Sequence, residues 1–201
     1  LQDTVVTRET LAYVLEREEE DSDQPWFVCA SYSRPHPPFT APSRYLKRYR
    51  DKVAPPEAGV AESEEPYALR RATNHRGLTD EDVQRGREGY YACVEFLDDC
   101  IGELLAALEA AGALDNTVVI YTSDHGEMLG NHGIWGKAIY FDRAMRVPLL
   151  ISGPGVSGTG QQVKHPVSLL DLFPTTCGLT GLPIPQGLDG KDLSKLLASP
   201  T

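Results

Sequence analysis

The sequence predicts an α/β layered fold, a largely parallel sheet flanked by helices. Three observations carry that prediction. Short apolar runs at residues 26–30 (WFVCA), 117–121 (TVVIY) and 146–152 (RVPLLIS) have the length and composition of strands buried on both faces. A long helical pattern over residues 79–111 separates the first run from the second. Two of the runs also end in polar loops, SRPHPPF and SDHGEMLGNHG, at the strand edge where such sheets gather ligands.

Taken in order, residues 8–19 read as a helix with Thr7 as N-cap and Leu11, Val14 and Leu15 at helical spacing. Pro25 opens the first strand, and Pro35, Pro37 and Pro38 exclude regular structure after it. Residues 51–66 are acidic and proline-containing, the composition of an exposed loop. Thr79 caps the long helix, with Asp80, Glu81 and Asp82 suiting its dipole. Tyr90, Val94, Leu97, Ile101, Leu104 and Leu108 form its apolar stripe, and Gly112 ends it. The third strand closes at Gly153-Pro154-Gly155. Asp171 or Ser168 then starts another helix, which tolerates Pro174 in its first turn only.

Composition narrows the function classes. At 201 residues the chain can bury one core, and 41% hydrophobic residues with 18 Gly and 15 Pro suit a loop-rich globular domain. The net charge of -10 argues against nucleic acid and anionic membrane surfaces as partners. A small anionic substrate stays compatible, provided local cations or a metal ion reverse the field. No apolar run approaches the roughly 20 residues of a membrane helix. The four cysteines (Cys29, Cys93, Cys100, Cys177) show no metal-ligand spacing, and Cys93 and Cys100 share one helix face as buried thiols. A reducing, cytoplasmic compartment is therefore expected; a chain that begins at Leu1 leaves a periplasmic or secreted one open, and self-association open too.

The candidate chemistry lies in the two loops. In Ser123-Asp124-His125-Gly126 a carboxylate and an imidazole sit where a strand opens into a turn, so both can reach one divalent cation. Asp and Gly are also ordinary turn formers, and the tetrapeptide alone decides nothing. His36, stiffened by Pro35 and Pro37, can donate to an anion or protonate a leaving group; a surface loop histidine is the competing reading. Lys137 is a candidate anion contact, or a solvated lysine. His132 reads better as loop packing, and Arg143 and Arg146 as surface pairing. Together, a metal pair, a fixed histidine and a lysine make an electrostatic clamp for phosphoryl or sulfuryl transfer. No GxSxG elbow or Walker A loop is present.

Residues 31–39 (SYSRPHPPF) resemble the histidine loop of the sulfatase family, within the alkaline phosphatase superfamily. Residues 117–155 resemble that family's metal-and-lysine segment almost throughout. Residues 165–197, with SLLDLFPT at 168–175 and Leu188-Asp189-Gly190, resemble the helix and turn that follow it. The resemblance implies an alkaline-phosphatase-like fold, Asp124 and His125 as ligands of the catalytic divalent metal, and His36 and Lys137 in contact with the anion's oxygens. Where many sulfatases carry Asn after the metal-binding Asp, this chain has His125, as in choline-sulfatase-like and phosphonate-monoester-hydrolase-like members. The metal is expected to be calcium or manganese: calcium prefers oxygen ligands, whereas imidazole leans toward manganese or zinc.

The resemblance also implies a formylglycine nucleophile, made from the Cys or Ser of a Cys/Ser-x-Pro-x-Arg segment upstream of a stretch like residues 1–13. None of the four cysteines lies in such a context. Residues 1–201 are thus expected to be a fragment of one catalytic domain, without its nucleophile half and C-terminal small sheet, and inactive alone. The expected reaction is sulfate ester hydrolysis on a small anionic ester. Phosphonate monoester or phosphodiester hydrolysis by the same apparatus is the alternative, and a non-catalytic module that kept the scaffold is the third. A Cys-x-Pro-x-Arg in the preceding 100–150 residues, about one domain's length, separates enzyme from module.

Overall fold

The computed structural model describes residues 2–20, 24–58, 77–157 and 160–199. They fall into two compact units, Leu1–Ala111 with His125–Arg146 and Gly112–Asp124 with Val147–Thr201. Of the acidic loop expected at 51–66, residues 59–66 lie outside the described residues. Residues 51–58 form turns and coil.

The first unit is helical. Its α1 (Gln2–Glu19) starts well before the expected residue 8. Thr7 therefore lies inside the helix instead of capping it, and its hydroxyl donates to the Asp3 carbonyl one turn back at 3.2 Å. Asp3, Thr7 and Val14 are the buried residues of α1. The seam toward α3 is thus partly polar, with the Thr7 hydroxyl 3.4 Å from the Cys100 carbonyl and 3.1 Å from the Tyr32 hydroxyl. A reading by apolar spacing missed the start because two of the inward residues are polar.

A short helix, α2 (Ser43–Tyr49), was not anticipated. Tyr45 fixes it: the ring is 1% exposed, lies 5.5 Å from Phe96, and its hydroxyl donates to Asp99 at 2.6 Å. The long helix α3 (Asp80–Ala110) has the expected cap, with the Thr79 hydroxyl accepting from the Asp82 amide and the Asp82 carboxylate accepting from the Thr79 amide. Its buried stripe is rotated from the expected one. Ala92, Cys93, Phe96, Leu97, Cys100, Leu104 and Leu108 face inward, while Val94 is exposed. Small residues let α1 and α2 approach α3, which is why Ala92 and Cys100 are core positions together with Tyr45 and Phe96.

The second unit holds β1 (Val119–Thr122) and β2 (Leu149–Ser152). The α/β class stands, but these two strands pair antiparallel, Val119 opposite Ser152 and Thr122 opposite Leu149. A parallel pair needs a crossover, usually a full helix. The only α-helix between these strands is the single turn α4 (Asp142–Met145), which packs in the first unit. Nor are these strands buried on both faces: Tyr121 and Leu150, cross-strand partners, both remain exposed. Residues 26–30, expected as a strand, form none among the described residues. Their exposure alternates with period two, as in a strand, and Phe27 stays 77% exposed, but no described strand pairs with them.

A Ser168–Asp171 capping box leads into α5 (Leu172–Thr180), with Pro174 in its first turn and Gly181 in the left-handed conformation at its end. A last short helix, α6 (Ser194–Ala198), follows. All four cysteines are thiols. No described helix is long and apolar enough to cross a membrane.

Candidate active site

The loop of residues 33–40 is built around Arg34 rather than around its prolines. Arg34 forms an ion pair with Asp3, donates from Nε to the Thr40 carbonyl at 3.0 Å, and lies 5.7 Å over the Phe96 ring. One guanidinium thus ties the two ends of the loop together. Asp3 Oδ1 also accepts the Ser33 amide at 2.8 Å and the Arg34 amide at 3.2 Å. Burial raises the Asp3 pKa, but these backbone bonds and the Arg34 guanidinium outweigh it and hold the carboxyl below its ordinary range. Within the loop, Phe39 packs on α3 at Gly89, where a Cβ would stand 2.5 Å from the Phe39 carbonyl oxygen.

His36 projects from this loop into solvent. Its Nδ1 is 2.9 Å from the Pro37 carbonyl and its Nε2 is 3.2 Å from Lys137 Nζ, a residue 101 positions away. A carbonyl can only accept and an ammonium can only donate. The geometry therefore assigns the proton to Nδ1 and the lone pair to Nε2.

Lys137 is held by a second loop. Glu127 Oε1 accepts the Leu129 amide at 3.1 Å and the Gly136 amide at 2.5 Å. The buried Arg87 of α3 donates to the Leu129 carbonyl at 2.7 Å and to the Ala54 carbonyl at 2.9 Å. Met128, Ile134 and Ala144 form the small apolar core beneath. His132, in a left-handed conformation, stacks on Phe141 at 5.0 Å and faces the Ala58 carbonyl at 3.1 Å. It is a packing residue, as its loop suggests. Arg143 pairs with Glu57, and Arg146 lies 3.5 Å from Asp142.

The division into units runs between Asp124 and His125. In one, Asp124 is an exposed bend residue just after β1, with the Ser123 hydroxyl 3.4 Å from its Oδ1. In the other, His125 Nδ1 is 2.8 Å from the Gly126 carbonyl, which can only accept, so Nδ1 carries a proton and Nε2 is the nitrogen through which a neutral imidazole would ligate. Gly126 is fixed by its amide bond to the Ala144 carbonyl, and a Cβ there would meet the Arg143 oxygen at 2.0 Å. Carboxylate and imidazole are each donor types of a divalent shell. Among the described residues, no group of three or more His, Cys, Asp or Glu is gathered to complete one.

Two cavities accompany these residues in the first unit. The larger, about 270 Å³, is lined by Glu57, His132, Phe141 and Arg143 among others and touches neither His36 nor Lys137. The smaller, about 170 Å³, is lined by Gln2, Ser33, Arg34, His36 and Thr40 among others, and it is the one that adjoins the candidate chemistry. The supporting residues Asp3, Arg34, Arg87 and Glu127 were not singled out from sequence. Each makes its contacts through the backbone of another segment or loop turn, which leaves no local pattern.

The chain is similar to known proteins of one family. A sequence profile described as Sulfatase matches residues 2–182. Choline-sulfatase of Rhizobium meliloti (strain 1021) is 35% identical over 182 residues, covering 87% of this chain and 35% of that protein. Iduronate 2-sulfatase of Mus musculus is 33% identical over 206 residues, covering 82% and 37%. Among solved structures, the phosphonate monoester hydrolase of Agrobacterium radiobacter superposes with a TM-score of 0.83 at 33% identity, covering 96% of this chain and 42% of that one. The chain spans about a third of the length of these curated relatives.

Proposed function

The chain belongs to the sulfatase family, and from that premise we propose that the intact protein hydrolyses sulfate esters, with residues 1–201 forming part of its catalytic domain. The observation that carries the proposal is the meeting of His36 and Lys137 at 3.2 Å, two candidate anion contacts brought together from loops far apart in sequence. Two nitrogen groups of this kind have no mutual attraction to offer beyond one hydrogen bond, and both suit an anion's oxygens.

In this reading Lys137 donates to the non-bridging oxygens of the ester. His36 takes up a proton from solvent at Nε2 and gives it to the leaving-group oxygen as the bond to that oxygen breaks, its ring orientation fixed by the Nδ1–Pro37 contact. Asp124 and His125 would hold part of the shell of the divalent metal, calcium or manganese. Such an ion supplies charge neutralisation for the developing anion. The family's formylglycine arises from a Cys/Ser-x-Pro-x-Arg segment, and no such segment occurs in this sequence. We therefore assign the nucleophile to a part of the intact protein outside these residues and expect the isolated chain to be inactive.

The similarity to choline-sulfatase and iduronate 2-sulfatase supports the sulfate reading. Phosphonate monoesters are the second reading, supported by the match to a phosphonate monoester hydrolase structure. To test both, the intact protein is assayed with 4-nitrophenyl sulfate and 4-nitrophenyl phenylphosphonate, with metal content measured in parallel. Sulfate turnover is expected to dominate, and Asp124→Asn and His125→Ala are expected to lose both metal and most activity. A full metal complement in both variants overturns the ligand assignment; faster phosphonate turnover overturns the sulfate reading.

A further inference from the structure

We propose that Asp3, on the first turn of α1, is the positioning residue of His36. The inference rests on the reading of His36 as the residue that faces the leaving group. Three observations connect the two.

Asp3 is a carboxylate with no exposed surface, a poor place for a charge unless the charge is used. Its three side-chain hydrogen bonds all go to one loop. Oδ1 accepts the Ser33 and Arg34 amides, and Oδ2 faces the Arg34 guanidinium. Arg34, only 12% exposed at its side chain, then reaches the Thr40 carbonyl across the loop. His36 lies between these two tie points, and its own amide donates to the Ser33 carbonyl at 3.0 Å, the residue Asp3 holds. The path from carboxylate to imidazole is therefore two backbone steps.

A purely structural role predicts something different. Docking α1 would be served by apolar burial such as that of Val14, and would not need three side-chain hydrogen bonds aimed at residues 33 and 34. Fixing the height and tilt of an exposed imidazole does need this, because among the described residues the His36 ring bonds to Pro37 of its own loop and to Lys137. A ring that must sit in register with a lysine on another loop gains from a backbone that cannot drift, since small misplacements in reacting geometry cost large factors in rate.

The test uses the intact enzyme with whichever of 4-nitrophenyl sulfate or 4-nitrophenyl phenylphosphonate it turns over. Asp3→Asn keeps the shape but removes the charge that holds Arg34. It is expected to lower kcat by about tenfold or more while KM moves by less than about threefold, since orientation and not binding is lost. Leu108→Ala, a core truncation elsewhere on α3, serves as a control and should melt earlier yet keep kcat when assayed well below its Tm. In a His36→Ala background, Asp3→Asn is expected to cost less than about twofold more, because residues acting as a unit are not additive. If Asp3→Asn does not fold, Arg34→Lys keeps the charge beside Asp3 but cannot also span to Thr40, and the same two results are expected of it.

Wild-type kcat in Asp3→Asn or Arg34→Lys, or an equal loss with and without His36, overturns the inference while His36→Ala itself stays impaired. If His36→Ala is fully active, the reading of the site fails and this inference falls with it.

Discussion

The loop that carries His36 and the loop that carries Lys137 each hang from one carboxylate oxygen that accepts two backbone amides. In the His36 loop the carboxylate is Asp3, 30 residues before the amide it holds. In the Lys137 loop it is Glu127, which binds Leu129 two residues on and Gly136 nine residues on. The first loop is thus fastened from another helix, the second largely from within itself. The difference teaches that one loop depends on α1 being docked, whereas the other carries much of its own geometry in its local sequence. Both then rest on α3, through Gly89 under Phe39 and through Arg87 under Leu129.

The sharpest way to probe the comparison is to remove the two side chains that meet. In the intact enzyme, His36→Ala is expected to lower kcat/KM by about a hundredfold or more, the usual scale of lost acid–base assistance. Lys137→Ala is expected to cost about tenfold to a hundredfold, less than a fully desolvated donor, because Lys137 is exposed. Steady-state kinetics with unchanged metal content checks both. Equal, near-unity effects would return both residues to the solvated surface.

A smaller effect separates the fastenings. Glu127→Ala leaves two amides without their acceptor, at a cost of about 1–3 kcal/mol. Amide hydrogen exchange should quicken at Leu129 and Gly136 while the Ser33 and Arg34 amides stay protected. Loss of protection at both loops would mean that they are one unit and not two. On the other side, Gly89→Ala drives a methyl into the Phe39 carbonyl, and overpacking of this kind costs about 1–3 kcal/mol. Its melting temperature should fall, and exchange should quicken around Phe39 first.

Acid is the gentler probe. Asp3 has its pKa held below the ordinary aspartate value of 3.8. A carboxyl depressed in the folded state adds stability above its unfolded pKa and loses it as the pH falls through the folded one. The Ser33 and Arg34 amides should therefore lose protection only below about pH 4, and Asp3→Asn should remove that acid-induced step. The smallest expected effect is at Arg146→Ala, whose pair with Asp142 is exposed at both ends. Its loss should shift stability by less than about 0.5 kcal/mol in a thermal melt.

How much of this could be read from the residues follows the same division. The cap of α3 was legible because Thr79 and Asp82 bond to each other's amides three residues apart. The start of α1 was not, because Asp3 and Thr7 face inward for the sake of Ser33 and Tyr32, distant in sequence. The strand at 117–121 was found within two residues, yet its antiparallel pairing was not, since a run of apolar residues says nothing about its partner's direction. Residues 26–30 have a strand's composition and no paired strand among the described residues, because pairing belongs to two segments and composition to one.

The sequence by itself determined the α/β class, the family, the long capped helix and the identity of His36, Lys137, Asp124 and His125 as the residues to consider. The family and the four residues follow from the resemblance of residues 31–39 and 117–155 to sulfatase segments, the class and the helix from short-range chemistry: caps, apolar spacing and prolines. The tertiary structure alone decided that His36 and Lys137 meet, which imidazole nitrogen carries the proton, and which buried charges hold the two loops. Those depend on backbone amides and carbonyls, which every residue possesses alike and which therefore leave no mark in a sequence until the chain has folded.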